Sequence, residues 1–160
     1  MSDSELRRLV DLEAIRRVKY AYIRCMTLAL WDELEAILAP DVTTSYSDGK
    51  YVFEGRDKLL GFLRGSHGAA SPLRGQWQVG HPEIDFDGAD RARGRWLMYH
   101  YNVDKRQQTG EQQYAYYDDT YRRLDGRWVI QTTGYKRILE EQKRDSGAAK
   151  RGETEPRRRG

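Results

Sequence analysis

The chain contains one cysteine, Cys25, four prolines and three histidines in 160 residues. A lone cysteine excludes an intrachain disulfide and any zinc site built on a cysteine cluster. No run of about 18 apolar residues occurs, so no helical membrane span is expected. The opening segment MSDSELRR lacks the apolar stretch of a secretory signal, and the expectation is a cytoplasmic protein without a membrane partner. Internal repeats and glycine-rich phosphate loops are also missing, which leaves a nucleotide cofactor without support. No two of His67, His81 and His100 are closely spaced, so neither a metal nor any other cofactor is expected.

Net positive charge is confined to one end. The formal net charge is +3, but residues 143–160 alone carry +4, which leaves −1 for the preceding 142 residues. A nearly neutral body without a basic stripe lacks the electrostatic footprint of a nucleic-acid binder. The Gly, Pro and charge-rich end reads as a disordered tail on composition. Residues 1–142 are therefore taken as a single domain, since a chain of this length has no room for a second.

What is abundant is tyrosine, with 11 residues, together with four tryptophans. Such side chains pair a large apolar body with a polar tip and suit the lining of a cavity as well as a core. Leu6, Leu9, Val10, Leu12, Ile15, Val18, Tyr22, Ile23 and Met26 fall at three- and four-residue steps, predicting an amphipathic helix. A second short helix is expected from Trp31 to Leu38, stopped by Pro40, then a strand from Val42 to Tyr46, a Ser47–Lys50 turn and a return strand, Tyr51 to Phe53. A third helix is predicted from Lys58 to Leu63, and residues 65–75 read as a loop.

Four long strands follow, Gln76–Phe86, Arg91–Asp104, Gln112–Leu124 and Arg127–Leu139, separated by Asp-Gly and Thr-Gly turns. Helices first and strands afterwards predict an α+β fold, a curved antiparallel sheet wrapped around the N-terminal helices. Alternate residues of each strand then face the concave side. One parity of the second long strand collects Trp96, Met98, His100 and Asn102, mixing polar and apolar groups as ligand pockets do.

The ordered runs Asp11–Ile15, Tyr22–Cys25, Trp31–Leu34, Thr44–Lys50, Gly80–Ile84, Gly94–Trp96, Asp125–Trp128 and Thr133–Ile138 resemble bile acid 7α-dehydratase and its SnoaL-like relatives of the nuclear transport factor 2-like superfamily. The resemblance covers roughly residues 11–142. It implies a cone-shaped α+β barrel, commonly a homotrimer, with an apolar cavity holding a His, one or two Tyr, an Arg and an Asp beside the His. Scytalone dehydratase and hexachlorocyclohexane dehydrochlorinase carry similar sites. By motif, the resemblance assigns the helix Tyr to Tyr22, the strand Tyr to Tyr46, the His to His81 and the Arg to Arg137. The position of the dyad Asp holds Thr27, and a second acidic position corresponds to His100, so the His–Asp dyad is not intact here.

The implied chemistry is cofactor-independent elimination by a lyase. It needs a base near neutral pKa, a donor to the departing hydroxyl and stabilisation of the developing oxyanion. His81, Tyr22 with Tyr46, Arg137 and His100 are the candidate catalytic residues. Lys19, Thr27, Trp96, Met98, Tyr116 and Tyr117 are the candidate substrate contacts. The Tyr-rich lining points to a bulky hydroxylated hydrophobic substrate, phenolic or aromatic, losing water through a quinone methide and, where a hydroxymethyl group is adjacent, formaldehyde. Diarylpropane lyases of the same fold act in this way. The expected partners are that small molecule and further copies of the chain, as a trimer or dimer. Other readings are a dehydratase of a steroid or bile-acid-like substrate, an isomerase or cyclase, which requires a carboxylate base in the pocket, and a non-catalytic binding module.

Overall fold

A computed structural model describes residues 1–144. Helix α1 spans Asp3–Leu28 and begins with a capping box in which the Ser2 hydroxyl accepts from the Glu5 amide while the Glu5 carboxylate accepts from the Ser2 amide. It ends where Ala29 turns left-handed at φ 56°. Helix α2, Trp31–Ala36, leads directly into strand β1, Leu38–Tyr46, which pairs with β2, Tyr51–Glu54. Pro40 lies within β1 rather than before it. It sits where the pairing of β1 with its neighbour shifts between Leu38 and Thr43, a break that tolerates a residue without an N–H. Helix α3, Arg56–His67, is two residues longer at its start and four at its end than the apolar pattern alone predicts.

Four long strands complete the chain: β3 (Leu73–Asp87), β4 (Arg91–Asp104), β5 (Thr109–Leu124) and β6 (Arg127–Arg144). They and the first hairpin form one curved, unclosed six-stranded sheet in the order β2-β1-β6-β5-β4-β3. Register shifts in β3, β5 and β6 and beside Pro40 bend it, as bulges do. One junction departs from the antiparallel expectation: β1 runs parallel to β6, with Thr44 opposite Thr133. That pairing joins segments almost ninety positions apart, so local alternation gives no hint of it. Lys143 and Arg144 continue β6, and the rest of the expected tail, residues 145–160, lies outside the described residues.

The buried stripe of α1 differs from the predicted apolar face. It consists of Asp11, Ile15, Lys19, Tyr22, Cys25 and Met26, whereas Leu6, Leu9 and Val10 are exposed. Asp11 is drawn inward because the Trp128 indole N–H donates to its Oδ1 at 2.9 Å and Arg123 to its Oδ2 at 2.8 Å, pinning α1 to the β5–β6 hairpin. These partners and the charges hold the Asp11 carboxyl below its ordinary range against the cost of partial burial. The next residue inward at helical spacing, Ile15, and then Lys19 follow from that anchor.

Candidate active site

The register places Trp96, Met98 and His100 of β4 opposite Tyr117, Ala115 and Gln113 of β5, all on the face covered by α1 and all buried. The predicted parity of β4 is therefore the one observed. On β5 the same alternation continues to Asp119 and Tyr121. Lys19 descends from α1 onto this row, its Nζ 2.7 Å from Asp119 Oδ2, with both side chains wholly buried. The contact is an ion pair without a well-directed hydrogen bond from Nζ, and Asp119 Oδ1 accepts no hydrogen bond.

The Tyr121 hydroxyl donates to Asp119 Oδ2 at 2.9 Å and accepts from the Trp96 indole at 3.0 Å. Gly94 keeps this arrangement possible, because a Cβ there would fall 2.9 Å from both the Trp96 indole nitrogen and the Tyr121 ring. Lys19 Nζ also lies 3.3 Å from the centroid of the Tyr117 ring and 4.8 Å from that of Tyr22. Burial pulls the Lys19 pKa down and Asp119 opposes that pull, with burial prevailing.

Beside this pair the Tyr22 and Tyr46 hydroxyls are 2.7 Å apart. Burial raises both phenols above their ordinary range, as it does Tyr117 and Tyr121. All four stay protonated at neutral pH, so each keeps an O–H to donate. Further along β4, His100 stacks on Trp77 of β3, with ring centroids 4.4 Å apart and planes 11° from parallel. Burial, with a contribution from His67, pushes the His100 imidazole down to about 4, so it is neutral at pH 7. Its Nε2 has no hydrogen-bond partner, and neither do Gln113 Oε1, Thr44 Oγ1 or Thr133 Oγ1 on the same buried face. Buried polar atoms are ordinarily paired, so these unpartnered groups make the inner face the candidate site.

Of the residues singled out in the sequence, Lys19, Tyr22, Tyr46, Trp96, Met98, His100 and Tyr117 meet on this inner face. Four do not. His81 is exposed, because two residues, His81 and Pro82, stand opposite the single Trp96 in the β3 bulge, and His81 adopts φ 51°. The imidazole assigned by resemblance therefore lies outside the buried cluster. Arg137 is held at the surface by Asp48, whose carboxylate accepts from its Nε at 2.9 Å, and by Glu140. Thr27 is exposed near the end of α1, and Tyr116 is 46% exposed on the outer parity of β5.

Sequence reasoning missed Asp119, Tyr121 and Trp77. The signal for the first was present: Asp118 and Asp119 face opposite sides of β5, and the inner one continues the Ala115, Tyr117, Tyr121 alternation. The outer one, Asp118, pairs with Arg93. A groove of about 480 Å³ opens near the strand ends among Asp41, Asp85, Arg91, Arg93 and Arg122, mostly exposed charges of which Arg122 and Asp41 form an ion pair. It reaches the Tyr121 ring but not Lys19 or His100. Among the described residues, no three His, Cys, Asp or Glu side chains are placed to hold a metal ion, and no helix is long and apolar enough to cross a membrane.

The family model of the SnoaL-like domain matches residues 7–133. The chain belongs to the SnoaL-like family. Its fold is shared with a candidate scytalone dehydratase from Novosphingobium aromaticivorans DSM 12444, at 21% identity and TM-score 0.75 over 84% of this chain and 89% of that one. It is also similar to the hexachlorocyclohexane dehydrochlorinase LinA-type3 from Novosphingobium barchaimii LL02, at 16% identity and TM-score 0.77, covering 90% and 96% of the two chains. A nuclear transport factor 2-like protein with a cystatin-like fold, again from N. aromaticivorans, aligns at 19% identity and TM-score 0.72 over 91% and 89%. At these identities the SnoaL-like likeness to solved structures establishes the architecture, and the chemistry rests on the side chains above.

Proposed function

We propose that the protein is a cofactor-independent lyase acting on a bulky, hydroxylated, phenolic or aromatic substrate. The observation that carries this reading is the buried inner face itself, where a charged Lys19–Asp119 pair and a Tyr22–Tyr46 hydroxyl pair lie along the sheet from a neutral His100 with a free Nε2. Trp96, beside the first group, and His100 are four residues apart on one strand, so their Cα atoms are about 13 Å apart. The proposed pose sets a para-substituted phenol lengthwise between these two groups, with a hydrogen bond of about 3 Å at each end.

In that pose the phenol oxygen meets Tyr22, Tyr46 and the Lys19 ammonium, whose donors and charge stabilise the phenolate as its proton leaves. The phenolate electrons expel the benzylic hydroxyl near His100; the proton lost by the phenol balances its departure as water, and a quinone methide forms. His100 then accepts a proton. Taken from the neighbouring carbon, it completes a dehydration. Taken from an adjacent hydroxymethyl group, it breaks the carbon–carbon bond, releases formaldehyde and returns an electron pair to the phenolate. The kinship with proteins named as a dehydratase and a dehydrochlorinase supports the class of reaction.

The buried carboxylate of Asp119 favours a second reading, a proton-shuttling isomerase with Oδ1 as base. Incubation with a diarylpropane diol and, separately, with a hydroxysteroid distinguishes the two. Stilbene absorbance with formaldehyde, or loss of water, supports the lyase; an isomer of unchanged mass that gains solvent deuterium supports the isomerase. His100→Ala is expected to abolish turnover and His81→Ala to retain it. The reverse pattern removes His100 from the mechanism.

A further inference from the structure

The Lys19 amine is the group least explained by stability. A lysine with no exposed surface in the centre of a buried helical stripe carries a large desolvation cost, set here against one carboxylate contact and two aromatic faces. An ammonium has three donors, and none of those on Lys19 is spent in a well-directed hydrogen bond. Two acid–base groups stand beside it, Asp119 at 2.7 Å and, through the same carboxylate oxygen, the Tyr121 hydroxyl. The surrounding walls are the Tyr117 and Tyr22 rings.

We propose that Lys19 is a nucleophile that forms an imine with aromatic aldehydes or ketones entering the buried face. The activity goes beyond the elimination reading and uses the other protonation state of the same pair. In a dry surrounding, Lys19 ammonium and Asp119 carboxylate interconvert with amine and carboxylic acid by moving one proton over the 2.7 Å contact. The amine lone pair then forms a bond to the carbonyl carbon while the C=O π electrons take the carboxyl proton. One N–H proton returns to Asp119, giving a neutral carbinolamine. The hydroxyl leaves as water with that proton, and the resulting protonated imine faces the Asp119 carboxylate. Nothing is oxidised or reduced, and one water is released for each carbon–nitrogen double bond formed. Direction of titration agrees with the geometry, since burial lowers the Lys19 pKa and enlarges the share of free amine.

The test is reductive trapping of the full-length protein with benzaldehyde and cyanoborohydride near neutral pH, followed by peptide mass mapping. The expected result is a dominant benzyl adduct on Lys19, formed ahead of the surface lysines Lys50, Lys58 and Lys136, and its loss in Lys19→Arg. That variant keeps the charge opposite Asp119, so circular dichroism is expected to show the fold retained; should it not fold, the wild-type adduct map decides alone. Labelling confined to surface lysines, with Lys19 unmodified in the folded protein, overturns the proposal. Formaldehyde release measured without the trap is independent of this outcome, so failure of one reading does not mask failure of the other.

Discussion

Lys19 and Asp119 illustrate how a buried charge is tied to its partner. Removing one member strands the other in a low-dielectric interior, whereas replacing both with apolar groups of similar volume removes the penalty as well. Lys19→Met and Asp119→Leu are each expected to destabilise the fold by about 3–5 kcal/mol in urea titrations, and the double variant by clearly less than their sum. Additive losses would show that the two groups do not interact. His100 gives a pH signature. Its folded pKa is depressed to about 4 from an ordinary 6.5, so between those values the unfolded chain binds more protons than the native one. Stability is full above about pH 6.5 and declines as pH falls towards 4, by about 3 kcal/mol for a shift of this size. His67, also lowered by burial, adds in the same direction. Thermal melts over this range are expected to flatten in His100→Phe; an unchanged slope would place the titration elsewhere.

At the scale of elements, the β3 bulge decides what the imidazole at position 81 does. Strand alternation carried through from Trp77 and Val79 would point residue 81 inward, towards the row of Trp96. The extra residue breaks that alternation and leaves His81 outside with a left-handed backbone. Such a conformation costs a residue with a Cβ about 1 kcal/mol, which glycine avoids. His81→Gly is therefore expected to raise stability by about 1 kcal/mol or less and to leave turnover unchanged. Loss of turnover would return His81 to the active site. The first hairpin shows the same dependence on context. Ser47 and Asp48 both adopt positive φ, and the turn is fastened by Asp48 to Arg137 and by a 2.9 Å Ser47–Tyr135 hydroxyl contact. Arg137 thus holds the turn behind Tyr46, in place of the catalytic role that resemblance assigns to it.

The whole molecule presents two kinds of sheet surface. The inner face is closed by α1, and the outer one shows Tyr114 and Tyr116 at 38% and 46% exposure, with Leu139 at 50% in register beside Tyr114. Tyr99 packs against Tyr114 across β4 and β5 with the rings tilted at 51° and 5.2 Å between centroids. An aromatic patch on an otherwise charged surface favours self-association. The chain is expected to sediment as a homo-oligomer and to shift towards monomer in Tyr114→Glu/Tyr116→Glu; a monomeric wild type would refute this.

By itself the sequence settled the order and type of most elements, because hydrophobic periodicity, Asp-Gly turns and strand alternation are local properties of neighbouring residues. It also determined which residues of β4 share a face, and so placed Trp96, Met98 and His100 together. The tertiary structure decided what no local pattern encodes: that β1 lies parallel to β6, that a two-for-one bulge expels His81, and that Lys19 and Asp119, a hundred residues apart, meet in contact. A charged side chain reads as solvated until its partner is known, and only the packing of α1 across the sheet supplies that partner.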